Sequence, residues 1–127
     1  MSLAQEVHVV LLSNDPNRAY PALSLVLAAR ALGHDVSLYC AQQGLDVVRR
    51  DKGGAITLPG YPPLSKFVQD ALQLGAYICA CAPSKEILEA QGIRPETVYE
   101  GVRMEDAVAF LSRALKAAKE GGLVFFI

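Results

Sequence analysis

The chain has 127 residues, enough for one domain with its own core, and 52% of them are hydrophobic against 20% charged. A formal charge of −1, with no lysine- or arginine-rich block, excludes an electrostatic binder of nucleic acid or anionic membrane, and the pair Arg49-Arg50 runs straight into Asp51 as a solvated surface would. The longest apolar run, 19–29, falls short of the roughly 20 residues of a membrane span and is bracketed by Arg18 and Arg30, so a buried helix is expected, with no membrane span.

Residues 7–12 (VHVVLL) form a continuous β-branched run, the pattern of a strand covered on both faces in a parallel sheet. His8 inside it reads as a core or edge histidine with a satisfied hydrogen bond. Ser13-Asn14-Asp15-Pro16-Asn17 follows as a loop, with Asn14 or Asp15 placed to cap a helix and Pro16 at its first position. Residues 18–32 are the clearest helix, stopped by Gly33. It is apolar nearly all round, which predicts burial on more than one side and suggests a subunit interface. Residues 35–40 (DVSLYC) read as a second strand ending in Cys40, completing a βαβ unit.

Residues 43–50 suit a short helix, 51–54 a turn, 55–58 a short extended piece and 59–63 an irregular proline-rich loop. Leu64, Phe67, Val68, Ala71 and Leu72 repeat at helical spacing up to Gly75. Residues 76–81 then read as a strand and about 83–90 as a helix, with 93–101 irregular or holding a short strand near Val98-Tyr99. Met104, Ala107, Val108, Leu111, Leu115 and Ala118 line one apolar face of a long helix, with Glu105 and Asp106 in its first turn and Lys116 and Lys119 in its last. Residues 123–127 (LVFFI) form a last strand. No linker, repeat or composition change divides the chain, so 1–127 reads as one domain. Strands alternating with helices predict an α/β fold around a mostly parallel sheet of four or five strands.

The stretch AYICACAPSKEI, 76–87, carries the chemistry. Cys81 falls where strand gives way to helix, at the carboxyl end of a strand, where open α/β sheets bind ligands. The amino end of the following helix would favour an anion there and lower the pKa of a thiol from about 8.5, so Cys81 reads as a reactive cysteine. Ser84 and Lys85 follow it and are placed to help hold an anion at sulfur, or simply form a solvated first turn. The strand-end loops gather Asn14, Asp15, Cys40 and Cys81 toward one rim. Cys79 shares a face with Cys81 by the two-residue strand period and reads as a buried, inert thiol. A Cys79–Cys81 disulfide would close a strained small ring. The one-residue spacing also suits no zinc site, so neither metal nor cofactor is expected. No dinucleotide fingerprint, Walker loop or Gly-x-Ser-x-Gly elbow occurs, and nothing marks His34 as a base. With only residues 1–5 before the first strand there is no signal-peptide pattern, and an odd three cysteines predict reduced thiols, so a cytoplasmic protein is expected.

The opening LLSNDPNRAYPALSLVLAARALGHDVSLY resembles the amino-terminal half of DsrE/DsrF-like proteins. PGYPPLSKFVQDALQLGAYICACAPS, then QGI, and the terminal LVFFI resemble the second half. Ala80-Cys81-Ala82-Pro83-Ser84 is similar to the Ala-Cys-x-x-Ser stretch of the branch labelled peroxiredoxin-like. The resemblance implies a flavodoxin-like, three-layer α/β subunit that forms homo- or hetero-oligomers, here a homo-oligomer of two, three or more subunits. It also implies a sulfur relay in which Cys81 accepts sulfane sulfur as a persulfide from a donor protein and hands it to an acceptor. The alternative reading is a small-ligand or nucleotide-binding oligomeric module that uses the same rim without catalysis.

Overall fold

Residues 4–82 and 85–127 are described by a computed structural model. Five strands, β1 (Glu6–Leu11), β2 (Asp35–Cys40), β3 (Tyr77–Cys81), β4 (Arg103–Glu105) and β5 (Leu123–Phe126), form one sheet in the order β4-β3-β2-β1-β5. Every pairing in it is parallel. All strand carboxyl ends therefore reach the same edge.

Period-two alternation divides the core. One sheet face presents Val9, Leu11, Leu38, Cys40, Ile78 and Ala80. It packs on α1 (Pro16–Ala31) through Leu23 and Val26, and on α3 (Leu64–Gln73) through Val68 and Ala71. The other face presents Val10, Tyr39 and Cys79, covered by Phe110 and Ala114 of α5 (Ala107–Lys119). These are the three layers of a flavodoxin-like fold. Between β2 and α3 lie a 3-10 turn at Gln42–Val48 and the single-turn α2 (Arg50–Gly53). Between β3 and β4 lies α4 (Lys85–Ala90).

Local chemistry explains the ends. Asp15 caps α1, its carboxylate accepting from Asn17 N–H at 2.9 Å, and Pro16 occupies the first turn. Gly75 closes the αβ turn after α3 with φ +89°, which only glycine adopts without strain. The Tyr20 hydroxyl donates to Pro62 O at 2.6 Å, tying the proline-rich loop to α1.

Several sequence expectations change. Residues 103–105 form β4 rather than the start of a helix: Met104 turns toward the α1 side of the core, Glu105 lies in the strand, and Asp106 is the cap of α5, accepting from Ala109 N–H at 2.8 Å. A three-residue strand is too short for alternation to be read. Residues 51–53 are helical, residues 55–58 pair with no strand, and Val98 makes only an isolated antiparallel bridge to Arg49. The face of α5 that meets the sheet is Phe110, Ala114 and Ala117, whereas Val108 (77% exposed), Leu111 and Leu115 point outward. The expected stripe is the more hydrophobic one, yet what packs with Tyr39 and Cys79 is the Phe110 ring, stacked on Tyr39, and the small Ala114. Exposed apolar surface thus concentrates on α5 and on Leu123 and Phe126 of edge strand β5, more than on α1.

Candidate functional site

The carboxyl ends of the strands form the rim. Its loops are bound together by backbone: Ala41 N–H donates to Leu11 O at 3.1 Å, Leu12 N–H to Ile127 O at 3.0 Å, and Ala82 N–H to Glu105 O at 2.9 Å. Gly44 is packed against the end of β1, and a Cβ there would run into the Leu11 carbonyl. Gln42, beside it, holds φ +54°, an uncommon left-handed conformation for a non-glycine residue.

The three cysteines meet different fates. Cys40 is fully buried on the α1–α3 face, its pKa raised by burial and by the neighbouring Cys79 thiol. Cys79 is fully buried on the opposite face, its pKa pushed up to about 12 by burial and by the Glu105 charge. Its Sγ faces Leu38 O at 3.6 Å and Glu105 Oε1 at 3.7 Å. Cys81 ends β3 opposite Glu105, on the same face as Cys79, and is half-buried. The sheet therefore separates Cys40 from Cys81, although both lie at strand ends.

The remaining rim residues of the sequence reading are engaged structurally. Asn14 Nδ2 donates to Asp46 Oδ2 at 3.0 Å, linking the first two rim loops, and Asp15 is the α1 cap. Ser84 lies outside the described residues, and Lys85 is the first residue of α4. That helix has only six residues and begins four positions after Cys81, so its aligned peptides amount to less than two turns.

A polar network missed by the sequence reading covers the α5 face below Cys81. Arg113 grips Glu105 with two hydrogen bonds, Nε to Oε2 at 3.1 Å and Nη2 to Oε1 at 2.5 Å, and its Nη2 also reaches Ser37 Oγ at 3.3 Å. Burial opposes the Arg113 charge, but the Glu105 carboxylate outweighs it and raises the guanidinium pKa. The Tyr77 hydroxyl donates to Glu105 Oε2 at 3.3 Å, while its ring lies 4.5 Å below the Arg113 guanidinium. Tyr39 stacks on Phe110 at 4.3 Å and 20° between planes. Two signals were present in sequence: Tyr39 shares strand parity with Ser37 in β2, and Arg113 follows Phe110 by one helical step. Glu105, the carboxylate that Arg113 and Tyr77 share, was hidden by the unread β4.

His8 belongs to the same face. It is 1% exposed, as a core reading predicts, but none of the described residues bonds to either ring nitrogen. The expected satisfied hydrogen bond is absent among the described residues: the lateral neighbours of His8 are Ser37, whose hydroxyl accepts from Arg113, and the apolar Val124. Burial, followed by the Arg113 charge, lowers the His8 pKa, with Glu6 and Glu105 opposing.

Two hollows lie away from the rim, around the amino end of β3. One of about 1030 Å³ is bordered by Arg50, Tyr77, Tyr99 and Arg103, and a smaller one of about 260 Å³ by His8, Ser37, Tyr77 and Arg113. Among the described residues no three His, Cys, Asp or Glu side chains come together as a group that could hold a metal ion, and no helix is long and apolar enough to cross a membrane.

Comparison with known proteins agrees with this architecture. An uncharacterized protein of Methanocaldococcus jannaschii is 30% identical over 100 residues, covering 76% of this chain and 82% of that protein. The solved structure of a protein of unknown function from Methanobacterium thermoautotrophicum superposes with a TM-score of 0.72 at 21% identity, covering 97% of this chain and 99% of that one. That likeness fixes the fold. The family model described as the DsrE/DsrF-like family matches residues 7–120, and the chain belongs to that family.

Proposed function

We propose that this protein is a sulfur carrier in which Cys81 takes sulfane sulfur as a persulfide and passes it to a partner. The observation that carries the reading is the contrast among three thiols: Cys81 alone is half-exposed at the sheet rim, while Cys40 and Cys79 are sealed in opposite halves of the core. Family membership supports a sulfur-relay setting. In the step, the Cys81 thiolate attacks the outer sulfur of a donor persulfide R–S–SH. A new S–S bond forms to Cys81, the donor's S–S bond breaks, and R–S⁻ leaves with the bonding pair. Delivery repeats the exchange, an acceptor thiolate taking the outer sulfur and Cys81 leaving as thiolate, with no external oxidant or reductant. We further propose a homo-oligomer formed through the apolar surface of α5 and β5.

Intact-protein mass spectrometry after incubation with a sulfane-sulfur donor tests the assignment. A gain of one sulfur that reverses with reductant and is absent in Cys81→Ser is expected. Equal loading of Cys81→Ser sinks it. A second reading, small-ligand or nucleotide binding without chemistry, has its own observation in the 1030 Å³ hollow with Arg50 and Arg103 beside two tyrosines. Thermal stabilisation by a nucleotide that persists in Cys81→Ser and is lost in Arg103→Ala would favour it.

A further inference from the structure

Tyr39 is the best-held polar group near Cys81 that has no hydrogen-bonding role of its own. It stands in β2 opposite Cys79, so its ring rises on the α5 face, the face shared by Cys79 and Cys81. Phe110 stacks on one side of the ring and leaves it little freedom. The side chain is 5% exposed, and its hydroxyl makes no hydrogen bond of ordinary geometry among the described residues. Burying a hydroxyl unpaired is costly, so such a group in a native core calls for an explanation. Burial comes first in raising the phenol pKa, followed by Cys81 and then by the charges of Cys79 and Glu105.

We infer that Tyr39 is a positioning residue for Cys81, its free hydroxyl donating a hydrogen bond to the sulfur once that sulfur is anionic, as thiolate or as the outer atom of the persulfide. The neutral thiol is a weak acceptor and leaves the hydroxyl unpaired. The anion is a strong one and completes it. Nearby Glu105 cannot do this work, since a carboxylate repels an anionic sulfur, and its charge is already held by Arg113. The inference rests on the Cys81 reading but is tested apart from it.

The test is the pH dependence of Cys81 alkylation by iodoacetamide, followed by peptide mass spectrometry in wild type and Tyr39→Phe, beside persulfide lifetime after loading with polysulfide. Tyr39→Phe keeps the ring and the Phe110 stack and removes one oxygen. It is expected to move the alkylation midpoint up by about one pH unit, slow alkylation at neutral pH about tenfold, and shorten the persulfide lifetime. Superposable alkylation profiles overturn the assignment, whether or not sulfur is loaded. A shifted profile in a protein that never loads sulfur keeps Tyr39 as the thiolate's partner and removes only the carrier reading. Should Tyr39→Phe fail to fold, tyrosine-Cζ-labelled wild type decides: the Tyr39 resonance is expected to move as Cys81 ionises, and a resonance that stays put through that titration overturns the inference.

Discussion

At the residue scale the chemistry is divided by burial more than by residue type. Iodoacetamide at pH 8 is expected to modify Cys81 alone in the native protein, with Cys40 and Cys79 reacting only after denaturation, because each is fully buried and its thiolate is disfavoured. Early native labelling of either, read by peptide mass spectrometry, would contradict this placement. His8 supplies a pH prediction. Its pKa lies below 6.5 in the folded state, so the unfolded chain takes up the proton first and stability falls as pH drops through 6.5. The steepest contribution of one such group is about 1.4 kcal/mol per pH unit. His8→Phe, which keeps a ring beside Phe110, is expected to flatten the urea-denaturation midpoint between pH 5 and 6.5, and an unchanged slope would show that His8 carries no proton linkage. Gly44→Ala is expected to lower stability by a few kcal/mol, since the added methyl meets the Leu11 backbone, which cannot move without disturbing β1.

At the scale of elements, α5 shows how packing selects among faces of one helix. The apolar residues most visible in sequence, Val108, Leu111 and Leu115, face outward, and a smaller set meets the sheet. Phe110→Ala is therefore expected to cost about 3 kcal/mol, as for a large ring removed from a tight core, and to free Tyr39 as well. Asp106→Ala removes only a cap and is expected to cost about 1 kcal/mol. Equal losses from the two, measured by urea denaturation, would mean that α5 does not depend on its contact with Tyr39. The same region holds the strand that periodicity could not reveal. With three residues, β4 exists because β3 offers it an edge, and only that pairing brings Glu105 opposite Cys81.

For the molecule as a whole, exposed apolar side chains gather on α5 (Val108, Leu111, Leu115) and on Leu123 and Phe126 of β5, an edge strand of the sheet. Large exposed apolar surface marks association sites. Under the proposed oligomer, Leu111→Lys with Leu115→Lys is expected to reduce the mass in sedimentation equilibrium to that of one 13.6 kDa chain while leaving helical circular dichroism unchanged. An unchanged mass would place the interface elsewhere, and a monomeric wild type would remove the oligomer from the proposal.

Much was determined by sequence alone. Local signals are short-range and strong: a β-branched run marked β1, alternation marked β2, Asp15-Pro16 opened α1, Gly33 and Gly75 closed helices, and the parallel α/β class followed from the succession of strands and helices. The strand period also put Cys79 and Cys81 on one face. What only the tertiary structure decided is which groups from distant segments share that face. Cys40 and Cys81 both end strands, yet one residue of parity puts the sheet between them. Arg113, Glu105, Ser37 and Tyr39 come from three elements, α5, β4 and β2, and nothing in their spacing along the chain encodes the register that joins them. That register is set by strand order and by which face of α5 packs on the sheet, both products of packing the whole core at once.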